Sequence, residues 1–275
     1  QLVQHPPAPL RRPSPVVLRP SDPKPSIALV TPCLDAGRFL ERTVKSVLAE
    51  GYPALEYVVQ DGGSRDPETA SILERYRPRL HHAASEPDRG QADAINRGFA
   101  RTRGEIMAWL NADDLLLPGA LTRVARHFAR HPEVDVVYGH RVLIDEEDRE
   151  IGRWILPEHD PEVLRWVDFV PQETLFWRRS TWERVGGKLD EELHYALDWD
   201  LLLRFSRAGA RIVRLPCFLG AFRVHAQQKT TALSDTGRRE VDGIRLRELG
   251  FVPDPSTVHR HVMGYYRRHL VLHAR

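Results

Sequence analysis

The sequence predicts an α/β fold with a mostly parallel central sheet that is flanked by helices. From residue 26 onward, short apolar runs of strand length alternate with amphipathic runs of helix length. Strands joined by helices of this length run parallel, because a parallel connection needs a crossover of a dozen or more residues. The first helical run places four apolar residues on one face, as a helix that covers a sheet requires. These residues are Leu40, Val44, Val47 and Leu48.

Each element follows from the hydrophobic pattern and from the turn residues beside it. The predicted strands are 27–31, 55–60, 80–84, 105–110, 134–139, 173–177 and 211–215. The predicted helices are 38–50, 67–76, 91–102 and 198–208, with another after Pro118 and a helical tail from residue 235. Polar residues around 145–149 predict a hairpin, and residues 223–231 predict a mobile loop.

The chain divides into a leader, a main domain and an extension. Residues 1–25 contain eight prolines and no periodicity, which predicts an extended or disordered leader outside the core. The predicted main domain covers 26–233, with a first half at 26–117 and a second half at 118–233. Residues 234–275 form a helical, basic extension with a small apolar face. That face favours packing on the body or on a second subunit over contact with a membrane surface.

Composition and charge argue against several functional classes. Of the 275 residues, 41% are apolar and 28% are charged, which is typical of a globular protein with a sizeable core. The net charge of +2 gives no strong nucleic-acid signal. Cys33 and Cys217 lie far apart in the sequence, which favours free thiols in a reducing compartment. Because neither a membrane-spanning run nor a signal-peptide core occurs, we expect a cytoplasmic protein that contacts membranes only peripherally.

The segment Asn111-Ala112-Asp113-Asp114 directly follows a predicted strand. In open α/β sheets the carboxyl ends of the strands border the ligand crevice. Adjacent carboxylates there suit a hard divalent cation, which keeps several waters and is completed by substrate phosphates. The motif therefore indicates a nucleotide diphosphate bound through a metal. The alternative is that Asn111 and Asp114 cap the helix that follows Pro118.

Two further segments reach the same predicted edge. Asp61 ends the second strand before two glycines, where an aspartate can accept the N3 hydrogen of uracil or thymine; a simple turn residue is the alternative. Arg89 precedes a predicted helix, whose amino end favours phosphate, and a surface ion pair is the alternative. The loop at 33–37 has neither a dinucleotide fingerprint nor a P-loop, which argues against redox and ATPase functions.

The order of these motifs resembles family 2 glycosyltransferases, of the type that builds bacterial surface polysaccharides. The matching blocks, between residues 26 and 231, are TPCLDAGRFLE, EYVVQDGGS, SEPDRGQADAINRG, AWLNADDLLLPGAL, VDVVYGH, VPQETLFWRRS, ALDWDLLLRF and FRVHAQQKT. The resemblance implies a GT-A fold, inversion at the anomeric carbon and a divalent metal, Mn²⁺ or Mg²⁺. It also implies a nucleotide-sugar donor, with a UDP-sugar favoured over a GDP- or dTDP-sugar. The first half of the domain would bind the nucleotide and the second half the acceptor.

Carried over by position, the resemblance also implies the site residues. The donor-binding residues would be Thr31, Pro32, Asp35, Asp61, Arg89, Asn111, Ala112, Arg223 and Lys229. Asp113 and His225 would bind the metal. Asn111 stands where an aspartate is commoner in the D-x-D-type motif, so it is better suited to a ribose hydroxyl. Arg223, His225 and Lys229 would neutralise the leaving diphosphate from a closing loop, and a solvated polar loop is the alternative.

Asp198 matches the general base of the family, which removes the proton of the acceptor hydroxyl as that hydroxyl attacks the sugar. Leu197 stands where an acidic residue usually precedes this base. Help in tuning the pKa of the base must therefore come from elsewhere in the chain. Asp200 is favoured as a helix N-terminal charge.

Two other functions stay open. A sugar-phosphate nucleotidyltransferase shares the α/β layout but requires a Gly-rich, basic loop after its first strand, whereas residues 31–37 include one glycine and no lysine. A non-catalytic nucleotide-sugar-binding protein would be expected to lack Asp113 or Asp198. The acceptor is a hydroxyl of unknown class, because residues 140–170 and the tail from 234 carry no recognisable signature.

Overall fold

The computed structural model describes residues 3–14, 16, 18–226, 228 and 234–273. Lys229 and part of the predicted mobile loop lie outside the described residues. Within them, nine strands form one sheet. The strands are β1 (Ile27–Cys33), β2 (Leu55–Asp61), β3 (His82–Ser85), β4 (Ile106–Trp109), β5 (Leu115–Leu116), β6 (Val136–Ile144), β7 (Glu150–Trp154), β8 (Phe176–Arg178) and β9 (Ile212–Arg223). Their order is β3-β2-β1-β4-β8-β6-β9-β5, and β7 pairs with β6.

The sheet is mostly parallel, as predicted. β1 pairs in parallel with β2 and β4, β2 with β3, and β6 with β9. β8 runs antiparallel between β4 and β6, and β5 runs antiparallel to β9. Because β1, β2 and β4 run parallel, the carboxyl ends of these three strands lie at the same edge of the sheet.

Helices cover both faces of this sheet. They are α1 (Gly37–Leu48), α2 (Pro67–Tyr76), α3 (Gln91–Ala100), α4 (Ala120–Arg130), α5 (Pro161–Leu164), α6 (Arg179–Arg184), α7 (Leu197–Arg207), α8 (Ser234–Leu249) and α9 (Pro255–His273). α1, α2 and α4 contribute to one hydrophobic core, and α3, α7 and α8 to another. The predicted stripe on α1 is buried, with Leu40, Val44 and Val47 at most 1% exposed.

Most predicted elements are confirmed, with boundaries that shift by one or a few residues. The predicted hairpin is also confirmed, since the N–H of Asp145 donates to the carbonyl of Arg149 at 2.9 Å. β9 continues eight residues beyond the predicted end at residue 215, because a polar and proline-containing stretch at 214–217 hides its strand pattern. β5, α5 and α6 were not predicted, as they are too short to show a period, and β7 was not predicted because it begins with a buried glutamate.

Residues 4–8 of the leader lie along β7 and pair with its edge. The N–H of Ala8 donates to the carbonyl of Glu150 at 2.9 Å, and the N–H of Glu150 donates back at 2.7 Å. Farther along, the carboxylate of Asp22 pairs with Arg126 of α4 at 2.5 Å. The leader therefore covers a strand edge that would otherwise present unpaired backbone groups.

The C-terminal helices pack on the body. Arg247 of α8 pairs with Asp200 of α7 at 2.6 Å, and His261 of α9 stacks on Trp166 with 3.7 Å between the ring centroids. Three residues of α9 stay about half exposed: Tyr266, Leu270 and Val271. Contact of this face with a second subunit or a membrane surface stays a prediction. No helix in the described ranges is both long enough and apolar enough to cross a bilayer.

Candidate active site

One cavity of about 810 Å³ opens at the carboxyl ends of β1 and β4. Residues from the loops after these strands and from the start of α3 line part of its wall. The remaining wall comes from the start of α1, from residues 167–173, from the start of α7, from β6, β7 and the end of β9, from His225 and from α8. This volume lies within the range of small-molecule binding sites. The two predicted halves of the main domain therefore share one cavity.

The segment after β4 is held in place from several sides. The amide of Gln91 donates to the side-chain carbonyl of Asn111 at 2.7 Å, and the hydroxyl of Thr43 lies 2.7 Å from the carbonyl of Ala112. The carboxylate of Asp114 accepts the backbone N–H of Arg223 at 3.0 Å. Burial and the neighbouring charge of Asp113 raise the pKa of Asp114 well above its usual value. Asn111, Ala112 and Asp113 all line the cavity.

The helix-capping alternative for Asn111 and Asp114 is wrong. α4 has Gly119 at its N-cap, without a side-chain cap. The carboxylate of Glu50 instead accepts the backbone N–H groups of Gly119 at 2.8 Å and Leu121 at 2.9 Å. The polar groups after β4 are thus not required for starting the helix.

Asp113 and His225 meet at the cavity wall. Oδ2 of Asp113 lies 2.9 Å from Nε2 of His225, and the imidazole packs on Phe39 with 4.9 Å between the ring centroids. Nδ1 of His225 is buried and has no hydrogen-bond partner among the described residues.

The Asp113–His225 pair has the donor chemistry of a substrate-completed metal site. Across the described ranges, no cluster of three or more His, Cys, Asp or Glu side chains could hold a metal ion. An all-protein metal cage is therefore absent from the described part of the chain. One carboxylate oxygen and one imidazole nitrogen, together with waters and diphosphate oxygens, nevertheless fit Mg²⁺ or Mn²⁺.

Arg223 lies behind the cavity wall, not in it. Its side chain is fully buried, and its Nε donates to the carbonyl of Asp113 at 2.7 Å. Nη1 donates to the carbonyl of Asp145 at 2.9 Å and pairs with Asp148 at 2.5 Å. The predicted diphosphate contact of Arg223 therefore does not match its placement, because the guanidinium already holds the Asp113 backbone against the β6–β7 turn.

Asp61 is also placed away from the cavity. Its carboxylate is 1% exposed and accepts the hydroxyls of Ser64 and Ser85, both at 2.5 Å, and the N–H of Ser64 at 3.1 Å. The thiol of Cys33 lies 3.7 Å from the same carboxylate. These four donors fill the lone-pair positions of a carboxylate. In this structure Asp61 stabilises the turn, as the alternative interpretation proposed, and its carboxylate is not exposed to accept the N3 hydrogen of a base.

Asp88, which the sequence analysis missed, lines the cavity beside this turn. One carboxylate oxygen of Asp88 accepts the N–H of Gly90 at 2.8 Å. The other lies so close to Gly62 that a Cβ atom there would come within 2.4 Å of it. Gly62 is therefore required for the approach of Asp88. Asp88 stands in the block SEPDRGQ, next to Arg89, but the sequence analysis selected only Arg89 from this block as a site residue.

The other donor-side predictions divide between the cavity and its surroundings. Pro32 and Asp35 line the cavity. Thr31 is fully buried, and its hydroxyl lies 3.0 Å from the hydroxyl of Tyr57, so it supports the wall from behind. Asp35 also fastens the loop, since its Oδ1 accepts the backbone N–H groups of residues 65 and 66 at 2.8 and 3.0 Å.

Arg89 forms surface ion pairs, as the alternative to a phosphate contact proposed. Its side chain is 71% exposed and pairs with Glu191 at 2.5 Å and with Asp93 at 3.4 Å. Because these two carboxylates hold the guanidinium outside the cavity, the predicted phosphate contact of Arg89 does not match its placement.

Asp198 lies in the first turn of α7 and lines the cavity. Its Oδ1 accepts the backbone N–H of Trp199 at 2.9 Å. Burial raises the pKa of Asp198 to about 6, although the hydrogen bond and the charge of Arg141 oppose the rise. A carboxyl with this pKa is ionised at neutral pH and is a stronger base than an exposed aspartate.

Arg141 and Glu173 form a buried ion pair in the same wall, and neither was a predicted site residue. Nε and Nη2 of Arg141 donate to the two oxygens of Glu173 at 2.8 and 2.5 Å. The guanidinium also lies over the rings of Phe222 at 4.6 Å and Trp154 at 5.2 Å. The charge of Arg141 acts on Asp198, on Asp168 and on Asp114.

α8 supports the segment that leads into Asp198. The carboxylate of Glu240 accepts the backbone N–H groups of His194, Tyr195 and Ala196 at 2.8, 2.8 and 2.9 Å. Val241 and Arg245 of the same helix line the cavity. α8 is therefore part of the site as well as of the fold.

Comparisons with known proteins identify relatives of this chain. The family model described as Glycosyl transferase family 2 matches residues 28–190. The O-antigen biosynthesis protein RfbC of Myxococcus xanthus is 37% identical over 195 residues, which is 69% of this chain and 15% of that protein. An uncharacterized glycosyltransferase of Nostoc sp. is 33% identical over 171 residues, which is 58% of this chain and 52% of that protein. The chain thus spans at most about half the length of these relatives.

Solved structures share the fold at low identity. The structure of Staphylococcus aureus TarS 1–349 with UDP-GlcNAc has a TM-score of 0.63 at 16% identity, over 90% of this chain and 73% of that one. The mannosyltransferase PcManGT of Pyrobaculum calidifontis, with GDP-Man and Mn²⁺, has a TM-score of 0.61 at 18% identity, over 96% and 72% of the two chains. With the family match above, these findings show that the chain belongs to glycosyl transferase family 2 and has a fold similar to that of the GT-A glycosyltransferases.

Proposed function

We propose that the protein is an inverting glycosyltransferase that moves a sugar from a nucleotide diphosphate to an acceptor hydroxyl. The observation that carries the proposal is that one cavity is lined by both the Asp113–His225 pair and the Asp198 carboxyl. The first offers metal-type donors for a diphosphate, and the second offers a base for a hydroxyl. A UDP-sugar is the preferred donor, which the UDP-GlcNAc bound by TarS supports.

Inversion requires one displacement with the two oxygens on opposite sides of the anomeric carbon. The acceptor oxygen forms its bond to this carbon while the bond to the diphosphate oxygen breaks and the electron pair leaves with the diphosphate. Asp198 takes the proton of the acceptor hydroxyl. Asp113 and His225 would hold a divalent metal, which neutralises charge on the leaving diphosphate when bound. The Mn²⁺ bound by PcManGT supports this assignment.

The alternatives lack comparable support. A non-catalytic sugar-binding protein was expected to lack Asp113 or Asp198, and both are present on the cavity wall. A nucleotidyltransferase has no supporting observation in the loop after β1. The name of the relative RfbC supports a surface polysaccharide as the product class of this chain.

The experiment that tests the proposal is a panel of nucleotide sugars with Mn²⁺, read by thermal shift and by release of the nucleoside diphosphate into water. We expect at least one donor, a UDP-sugar first, to raise the melting temperature and to be hydrolysed slowly. The product anomer, determined by NMR, is expected to be inverted. Retention of configuration, or no binding of any nucleotide sugar, would contradict the proposed function.

Asp88 is expected to contribute more than Asp61 to nucleotide affinity. Asp88→Asn should weaken UDP binding by about 1 to 3 kcal/mol, because we expect this cavity-lining carboxylate to accept a hydrogen bond from the nucleotide. Asp61→Asn should lower the melting temperature, since the replacement disturbs an occupied hydrogen-bond set. Calorimetry with UDP on both variants is the measurement. A loss of UDP affinity in folded Asp61→Asn alone would restore Asp61 as the base reader.

The leader is expected to contribute to stability and not to chemistry. Deleting residues 1–22 removes the Asp22 partner of Arg126 and uncovers the edge of β7, so the melting temperature should fall. No described leader residue lines the cavity, so turnover per folded molecule should stay within about a few-fold. A folded deletion variant without turnover would show that the leader helps to build the acceptor site.

A further inference from the structure

We propose that Asp148, in the turn between β6 and β7, is a positioning residue for the metal-binding Asp113–His225 pair. It acts through the buried guanidinium of Arg223. The inference rests on the proposed function, because it assigns a support of the metal site in that reaction. In the described part of the chain, Asp148 forms ion pairs with Arg42 and Arg223 and does not line the cavity. Its effect on a bound metal is therefore indirect.

The side chain of Arg223 connects this turn to the segment that carries Asp113. Arg223 ends β9 with a fully buried side chain, and its Nε donates to the carbonyl of Asp113 at 2.7 Å. Its Nη1 donates to the carbonyl of Asp145 at 2.9 Å and lies 2.5 Å from Oδ1 of Asp148. One side chain therefore separates the carboxylate of Asp148 from the backbone of Asp113.

The ring of Phe39 connects Arg223 to the second member of the pair. The guanidinium of Arg223 lies over this ring, 4.8 Å from its centroid. The imidazole of His225 packs on the same ring, with 4.9 Å between the two centroids. Phe39 is 5% exposed, and a side chain packed this closely has little room to shift. The position of Arg223 therefore bears on both predicted metal ligands.

Asp148 also supplies the counter-charge of this buried cation. Among the described residues, it is the only carboxylate within salt-bridge distance of the Arg223 guanidinium. Asp114 lies close as well, but its carboxylate accepts the backbone N–H of Arg223 at 3.0 Å. An arginine stays charged even in a buried site, and loss of its partner leaves that charge uncompensated. Without Asp148, a positive charge would stand directly behind the residues that bind a cation.

Two effects on the metal follow from the loss of this counter-charge, and both weaken metal binding. An uncompensated guanidinium repels a divalent cation that is bound nearby. The same guanidinium, once released by Asp148, also competes with the cation for the carboxylate of Asp113, whose carbonyl it already contacts. Asp148 therefore lowers the metal concentration that the site requires.

The backbone at Asp148 determines which substitutions test this role. Its φ of 63° lies in the left-handed region, which Asp and Asn adopt more readily than other residues with a side chain. Asp148→Asn therefore keeps the turn, the shape of the side chain and a hydrogen-bond acceptor for Arg223, and it removes only the charge. Asp148→Gly also suits this backbone and removes the whole side chain.

Uptake of Mn²⁺ in the presence of UDP tests the proposal without turnover. Free Mn²⁺ is followed by its EPR signal as metal is added to the 275-residue chain with equimolar UDP, and D113A gives the background of metal held by UDP alone. We expect D148N to raise the Mn²⁺ concentration for half-saturation by about 10-fold, because one charge near a divalent cation is removed. D148G should raise it further.

Donor hydrolysis at different metal concentrations supplies a second readout. At saturating Mn²⁺, turnover by D148N should return to within about a few-fold of the wild type, because Asp148 affects metal binding and not the chemical step. A loss of turnover in folded D148N that saturating Mn²⁺ does not restore would contradict the positioning role.

Two control variants separate this effect from general damage. E147Q removes a charge from the same turn, where Glu147 is 62% exposed and pairs with Arg149. D22N breaks another carboxylate–guanidinium pair of 2.5 Å, between Asp22 and Arg126, and Asp22 does not line the cavity. D22N should lower the melting temperature, and both controls should keep the wild-type half-saturation by Mn²⁺. A shift in either control as large as in D148N would overturn the role of Asp148.

Failure of the proposed function would give a different result. In that case the wild type itself would take up no Mn²⁺ beyond the D113A background, and the metal assignment would be wrong together with the inference. Wild-type uptake of Mn²⁺ with the same half-saturation in folded D148N and D148G would instead overturn the inference alone.

Discussion

Asp198→Asn is expected to lower sugar transfer by about 10²- to 10⁴-fold, which is the usual contribution of a general base. The asparagine keeps the shape and the contact to the Trp199 N–H but cannot take a proton. UDP affinity should barely change, because Asp198 contacts neither the Asp113–His225 pair nor the loop around Asp88. Single-turnover transfer and calorimetry with UDP, on the same preparation, are the measurements.

The pH dependence gives an independent check on this residue. Because the pKa of Asp198 is raised to about 6, the base is protonated and inactive below that pH, and wild-type transfer should fall as pH decreases through this range. This acidic limb should disappear from the residual activity of Asp198→Asn.

Asp200→Asn is the control on the same helix, since Asp200 pairs with Arg204 and Arg247 and does not line the cavity. It should lower stability more than it lowers turnover per folded molecule. If Asp198→Asn loses UDP affinity as much as it loses turnover, the base assignment is wrong.

Chelation of divalent metal, or Asp113→Ala, is expected to lower donor turnover by at least about 100-fold, because charge stabilisation by a bound cation is worth several kcal/mol. Adding excess Mn²⁺ or Mg²⁺ should restore the chelated wild type and should not restore Asp113→Ala. Release of the nucleoside diphosphate, followed over a metal titration, is the measurement. Full turnover in excess chelator would contradict the metal assignment.

Replacing His225 is expected to raise the metal concentration that gives half-maximal turnover. His225→Gln removes the imidazole nitrogen that lies 2.9 Å from Asp113, so more metal should be needed. His127→Gln is the matched control, because His127 lies on α4 and does not line the cavity. Equal metal requirements in the two variants would show that His225 only packs on Phe39.

The fold was predictable from periodicity because its long elements bury one face. In α1, β1 and β4, the spacing of apolar residues along the sequence already shows which residues are buried. β7 shows the limit, since its first residue is a buried Glu150 whose charge is matched by Arg153 and by the leader. A pattern of side-chain polarity cannot report a partner that lies far away along the chain.

The site was predictable only where its residues follow regular strands or open a helix. Asn111, Asp113 and Asp198 occupy such positions, and all three line the cavity. Asp61 and Arg223 also lie at strand ends. The direction of a side chain at a strand end depends on the local turn, and both side chains form hydrogen bonds behind the cavity wall. Asp88 and Asp168 lie in irregular segments, where spacing carries no directional information.

The contact between α8 and α7 limits where this chain can be divided in a chimera. The family match ends at residue 190, before Asp198, yet Glu240 holds the backbone that leads into Asp198 and Arg247 holds the helix that carries it. A chimera joined at residue 190 would keep Asp198 together with α8 but would separate both from Asp113 and the rest of the cavity wall. A transplanted segment that carries Asp198 must therefore also carry α8, so the C-terminal extension is part of the candidate site and not an independent appendage.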